Sequence, residues 1–122
     1  MVSPLDAVPS PKIVVAPDSF KSPATAAEAA EWLAAHEGAE LVWLRVDAAG
    51  RVDPGQLERL LAERAAEIAL VTVMWANNET GAIQPVHEVV ARAEAAGTPV
   101  HVDAVQAVGH IPVDFHELGA AT

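Results

Sequence analysis

Seven consecutive uncharged residues, Ala69 to Trp75 (ALVTVMW), do most to limit what this chain can fold into. The run is short for a buried helix, and it lacks the apolar–polar alternation of a strand with one wet face. It therefore reads as a strand covered on both faces, the kind found in parallel sheets with helices packed against them. The next segments fit. Pro85 starts a helix in which Val86, Val89, Val90 and Ala93 form an i, i+3, i+4, i+7 stripe, and Gly97 ends it. Pro99 to Val102 is a further strand, closed by Asp103.

The upstream half repeats the pattern. Lys12 to Ala16 (KIVVA) is a β-branched apolar run and a strand candidate. Ser22 before Pro23 is a helix start, the Ala-rich stretch to about His36 reads as helix, and Gly38 closes it. Leu41 to Val46 (LVWLRV) is a second strand with Asp47 at its end. Asp53, Pro54 and Gln56 form a helix start, with an Asp cap, Pro at the first position and a side-chain acceptor three residues on. Leu57, Leu60 and Leu61 then share one helix face. Residues 1–11, with three prolines, are expected to be a flexible lead-in. Strand, helix, strand, helix, strand predicts an α/β fold of parallel βαβ units with right-handed crossovers.

Composition narrows the function. The 122 residues suit one domain, and apolar residues at 52%, mostly Ala and Val with aromatics at 4%, suit helices packed closely on a sheet. Lys and Arg number 7 against 17 Asp and Glu, a formal net charge of −10, which is too few cations to build a face for nucleic acid or an anionic membrane. The absence of cysteine removes disulfides, thiolate metal sites and thiol nucleophiles from these residues. No run approaches the roughly 18 apolar residues of a membrane span, and no basic-then-apolar leader opens the chain. A cytoplasmic location is expected.

In parallel sheets ligands bind beyond the carboxyl ends of the strands, where two loops fall. The first, WANNETGAIQP, offers the amides of Asn77 and Asn78 and a tight turn at Gly81; turn formation alone accounts for these residue types. The second, HVDAVQAVG, holds Asp103 and Gln106. Asp103 suits either a turn cap or a binding carboxylate. His101 and Asp103 also make an H-x-D pair on one strand face, but without a third ligand metal is the weaker reading and none is expected. If the two strands are neighbours, a carboxylate and two amides converge on one crevice. Such a site suits a flat heteroaromatic ring, with the carboxylate pairing a ring nitrogen.

Three ordered segments, LVWLRVDAAGRVDP, LVTVMWANNETGAIQPV and VHVDAVQAVGHIPVDFHELGA, resemble the middle of a cysteine desulfurase, in the class V aminotransferase group of pyridoxal-phosphate enzymes. The resemblance covers about residues 30–121 and implies that residues 31–122 form part of the large domain of the fold-type I enzymes. It implies that Asp103 pairs with the pyridine nitrogen of pyridoxal 5'-phosphate, that Gln106 and Asn78 contact its phenolic oxygen, and that Asn77 shapes the loop. It also implies L-cysteine as substrate, sulfur delivery to iron–sulfur cluster or thio-cofactor assembly, and pairing as a homodimer or with a full-length desulfurase. The family's phosphate-binding turn, ring-stacking His, Schiff-base lysine and persulfide cysteine have no counterpart here. Only Lys12 and Lys21 are present, so no catalytic residue is assigned and the chain by itself is expected to be inactive.

Lys12 to Ala30 (KIVVAPDSFKSPATAAEAA) resembles instead the opening of a glycerate kinase, in which Asp18 and Lys21 would meet a phosphate or substrate hydroxyl. Three expectations follow: a kinase-like start joined to a desulfurase interior within EAAEWLAA, a glycerate kinase relative, or a non-catalytic partner domain. For residues 12–30 the plainer alternative is a strand and a capped helix.

Overall fold

The computed structural model describes residues 38–122, the backbone of strand 12–15, and residues 31 and 35. Four parallel strands form the sheet: β1 (Lys12–Val15), β2 (Glu40–Trp43), β3 (Ile68–Met74) and β4 (Val100–Asp103), in the order β2-β1-β3-β4. Glu31 and Ala35 are helical, as expected of the Ala-rich stretch. Residues 1–11, Asp18, Lys21 and the Ser22–Pro23 helix start lie outside the described residues.

β1 sits between β2 and β3, with Val14 opposite Val42 on one side and Val71 on the other. The register between β1 and β3 slips past Ala69, a bulge near the start of β3. β3 pairs with β4, setting Val71 beside Val100, Val73 beside Val102 and Met74 beside Asp103. The chain leaves β1 for one edge and later crosses to the other, so the change of direction falls between β1 and β3.

Helices α1 (Pro54–Arg64) and α2 (Val86–Ala95) connect β2 to β3 and β3 to β4. Both steps advance across the sheet in one direction, and right-handed crossovers then put both helices on one face, where they pack together. The stripe on α2 is buried at all four positions, and Leu57 and Leu61 of α1 are buried with Leu60 packed at their side. They close over Val71, Val73, Val100 and Val102. Each fully buried Leu or Val contributes about 1.5–3 kcal/mol of hydrophobic stabilisation, so this layer dominates the fold. Thr72, on the other face of β3, is also buried, so the middle of β3 is covered on both sides as its composition predicted.

Several boundaries shift for local reasons. β2 ends at Trp43 rather than Val46, because the Arg45 N–H is taken at 2.8 Å by Gln56 Oε1 and the chain turns into an antiparallel bridge between Val46 and Val52. Gln56 thus serves the neighbouring segment rather than closing a capping box. Asp53 does cap α1, accepting from the Gly55 N–H at 2.9 Å. Pro85 is the N-cap of α2 rather than its first residue. β4 extends one residue further than expected, since the Asp103 carbonyl accepts from the Trp75 N–H at 2.8 Å. A short helix α3 (Phe115–Leu118) follows, capped by Asp114 accepting from the Glu117 N–H and ended by Gly119 at φ 75°. Ala121 and Thr122 then run beside β4, with the Val102 N–H donating to the Thr122 carbonyl at 2.8 Å.

Candidate active site

The loops after β3 and β4 emerge side by side, because Met74 and Asp103 are partners in the parallel ladder. The condition set by the sequence, that the two strands be neighbours, is met.

The first loop is a closed hairpin. The Asn77 N–H donates to the Ala82 carbonyl at 2.9 Å, the Gly81 N–H donates back to the Asn77 carbonyl, and Ala76 bridges Ile83. Asn77 is buried, and its Oδ1 accepts from the N–H groups of Glu79 and Thr80, each at 2.8 Å. Through Oδ1 it holds the turn together. Gly81 takes φ 73°, where a side chain would be strained. Asn78, at the tip, is exposed.

In the second loop Asp103 Oδ1 accepts from the Val105 N–H at 3.0 Å. One oxygen thus caps the turn, and Oδ2 has no donor among the described residues. The following residues curl helically, with Ala107 and Val108 donating to the Ala104 carbonyl and Ile111 to that of Ala107. Ala107 is fully buried and anchors the curl, while Gln106 is exposed upon it. Asn78, Asp103 and Gln106 make no hydrogen bond to one another. His101 shares a strand face with Asp103 and has Nδ1 2.7 Å from Thr122 Oγ1.

Gln84 is a residue that sequence reasoning missed. It is 7% exposed, and its Oε1 accepts from the Val52 N–H at 2.9 Å while Nε2 donates to the Gly50 carbonyl at 2.7 Å. The turn it meets, 47–52, is stapled by Asp47, whose Oδ1 accepts from the N–H groups of Ala49 at 2.8 Å and Arg51 at 3.0 Å. The Arg51 N–H, helped by that of Ala49, holds the Asp47 carboxyl below the usual carboxylate value against a smaller desolvation effect. Only the position of Gln84 between Ile83 and Pro85 marks it in the sequence. Trp75 is buried beneath the hairpin and meets the His87 ring edge to face, centroids 5.7 Å apart.

The aminotransferase class-V family model matches residues 11–121, and the chain belongs to that family. It is 45% identical over 92 residues to an IscS-like cysteine desulfurase of Mycobacterium tuberculosis, covering 75% of this chain and 23% of that protein. It is 46% identical over 81 residues to the cysteine desulfurase NifS of Azotobacter vinelandii, covering 66% of this chain and 19% of that protein. Among solved structures, a NifS-like protein aligns over 93% of this chain and 30% of its own length, at a TM-score of 0.76 and 33% identity. The apo cysteine desulfurase of Thermococcus onnurineus aligns over 91% of this chain and 26% of its own length, at a TM-score of 0.75 and 28% identity. The chain thus spans about a quarter or less of the curated relatives it matches, and its α/β sheet is a portion of the fold-type I architecture. The matched span runs through residues 12–30, and the glycerate-kinase-like reading of that segment finds no support. Its strand, β1, is an inner strand of the same sheet. Among the described residues, no helix is long and apolar enough to cross a membrane.

Proposed function

We propose that these residues form the ring-binding part of a cytoplasmic pyridoxal-phosphate-dependent cysteine desulfurase, which takes sulfur from L-cysteine for iron–sulfur cluster or thio-cofactor assembly. The observation that carries the proposal is Asp103 at the end of β4, with Oδ1 tied to the Val105 N–H and Oδ2 without a donor among the described residues. An acceptor-only group held in one orientation suits a protonated ring nitrogen. Identities of 45% and 46% to cysteine desulfurases support the same substrate.

Asp103 would hold the proton on the pyridine nitrogen through Oδ2. Asn78 and Gln106 would donate their side-chain N–H groups to the phenolic oxygen. Asn77 keeps the first loop in shape through its own turn bonds. When bound, pyridoxal phosphate supplies an electron sink for negative charge developing on the substrate carbon. These 122 residues contain no cysteine, so the thiol that accepts sulfur has to come from outside them. A second desulfurase chain is the proposed partner, and the exposed Val105, Val108 and Phe115 near the second loop support such pairing.

The test is a titration of the protein with pyridoxal phosphate, followed by backbone and side-chain amide resonances. Saturable shifts at Val105, Asn78 and Gln106, weakened about tenfold or more in Asp103→Ala, are expected when a charge-assisted hydrogen bond is removed. Shifts confined to other residues, or unchanged by Asp103→Ala, would contradict the assignment.

A further inference from the structure

Gln84 joins two segments that are far apart in the chain and closes a polar circuit using both ends of its carboxamide. Its Oε1 needs the Val52 N–H and its Nε2 needs the Gly50 carbonyl, which fixes the orientation of the amide. The backbone of the same residue donates to the Trp75 carbonyl at 2.8 Å, and its own carbonyl accepts from the Val86 N–H at 2.8 Å. Gln84 therefore ties the base of the 76–83 hairpin to the end of β3, the start of α2 and the 47–52 turn together. That turn is itself held by the Asp47 carboxylate. The contact with Val52 is buried and that with Gly50 part-buried, so water does not readily replace the first.

We infer that Gln84 is a positioning residue, which locks the hairpin to the Asp47 turn and thereby sets where Asn78 stands beside the Asp103 loop. The link from Asn78 to a ligand rests on the proposed function; the mechanical link from Gln84 to the hairpin does not. Only a side chain of this length with a donor and an acceptor on one planar end satisfies both backbone groups. Glu at this position accepts from Val52 but sets a carboxylate oxygen against the Gly50 carbonyl, until it takes up a proton and becomes a donor there.

The experiment compares the parent chain with Gln84→Leu and Gln84→Glu by amide hydrogen exchange, corrected for intrinsic rates and for global stability measured by denaturant. In Gln84→Leu, exchange at Val52 and at the hairpin amides of Asn77 and Gly81 should rise about tenfold or more, because both bonds of the carboxamide are lost. Exchange within β4 at Val102 should stay unchanged. At the hairpin amides Gln84→Glu should exchange faster than the parent near neutral pH and return toward it as the pH falls and the carboxyl is protonated, while Gln84→Leu shows no such return. Hairpin exchange within about twofold of the parent in Gln84→Leu, or no pH-dependent rescue in Gln84→Glu, would overturn the proposal. Adding pyridoxal phosphate separates the two levels. Loss of the Asn78 shift in Gln84→Leu with the Val105 shift retained supports positioning. Absence of any shift in the parent counts against the ring-binding function, and the exchange result then stands by itself.

Discussion

Met74 and Asp103 face each other in parallel register at the carboxyl ends of β3 and β4, and the Trp75 N–H clamps the Asp103 carbonyl at 2.8 Å. That pairing brings the roots of the asparagine hairpin and the aspartate loop to one edge of the sheet. It places a carboxylate on rigid strand structure and leaves the amides on turns that the strands position.

Asn77→Ala is expected to destabilise the protein by about 1–3 kcal/mol, because it strips a buried acceptor from the Glu79 and Thr80 N–H groups. Asn78→Ala, at the exposed tip, should change stability by no more than about 0.5 kcal/mol. Paired urea unfolding curves check the contrast, and equal losses at both positions would contradict it.

Leu57→Ala should cost about 2–5 kcal/mol, since Leu57 is completely buried between α1 and the sheet. Thermal unfolding measures this directly. A loss well under that range would mean that the α1 layer is not packed against β3 as described.

The Asp47 carboxyl is held below its ordinary value of 3.8, chiefly by the Arg51 N–H. A depressed carboxyl contributes stability that is fully present above the unfolded value and is lost as the pH falls through the lower folded value. Asp47→Ala should therefore be less stable than the parent at neutral pH. The difference should narrow only in acid, beginning below about pH 4. Melting temperatures across that range decide it; a gap that closes between neutral pH and about pH 5 would have another origin.

Val105 and Val108 on the second loop and Phe115 at the start of α3 are apolar side chains left 76%, 61% and 48% exposed. Sedimentation should show concentration-dependent pairing, reduced by Val108→Asp. A parent chain that stays single at every concentration tested would leave these side chains without the proposed partner.

Much of this was legible in the sequence. The valine stripe of α2, the Asp53 cap and the uncharged run of β3 depend on local periodicity and turn chemistry, and each formed where expected apart from small shifts at the ends. The two loops were legible too, because parallel sheets put them at the carboxyl edge. Gln84 was not, since its partners are 32 and 34 residues away and no short-range pattern encodes such a bond. The end of β2 was missed for the same reason: Gln56, a helix residue, takes the Arg45 N–H that would have continued the strand. Asp103 falls between, with its capping of the turn predictable and the oxygen that has no donor among the described residues visible only in three dimensions.

The most direct test of the central claim is the nitrogen-15 chemical shift of ring-labelled pyridoxal phosphate bound to the protein. A shift typical of a protonated pyridine in the parent, moving to that of a neutral pyridine in Asp103→Ala, is the predicted result. A neutral ring nitrogen in the parent, or a protonated one that persists without the Asp103 carboxylate, would contradict the role given to Asp103.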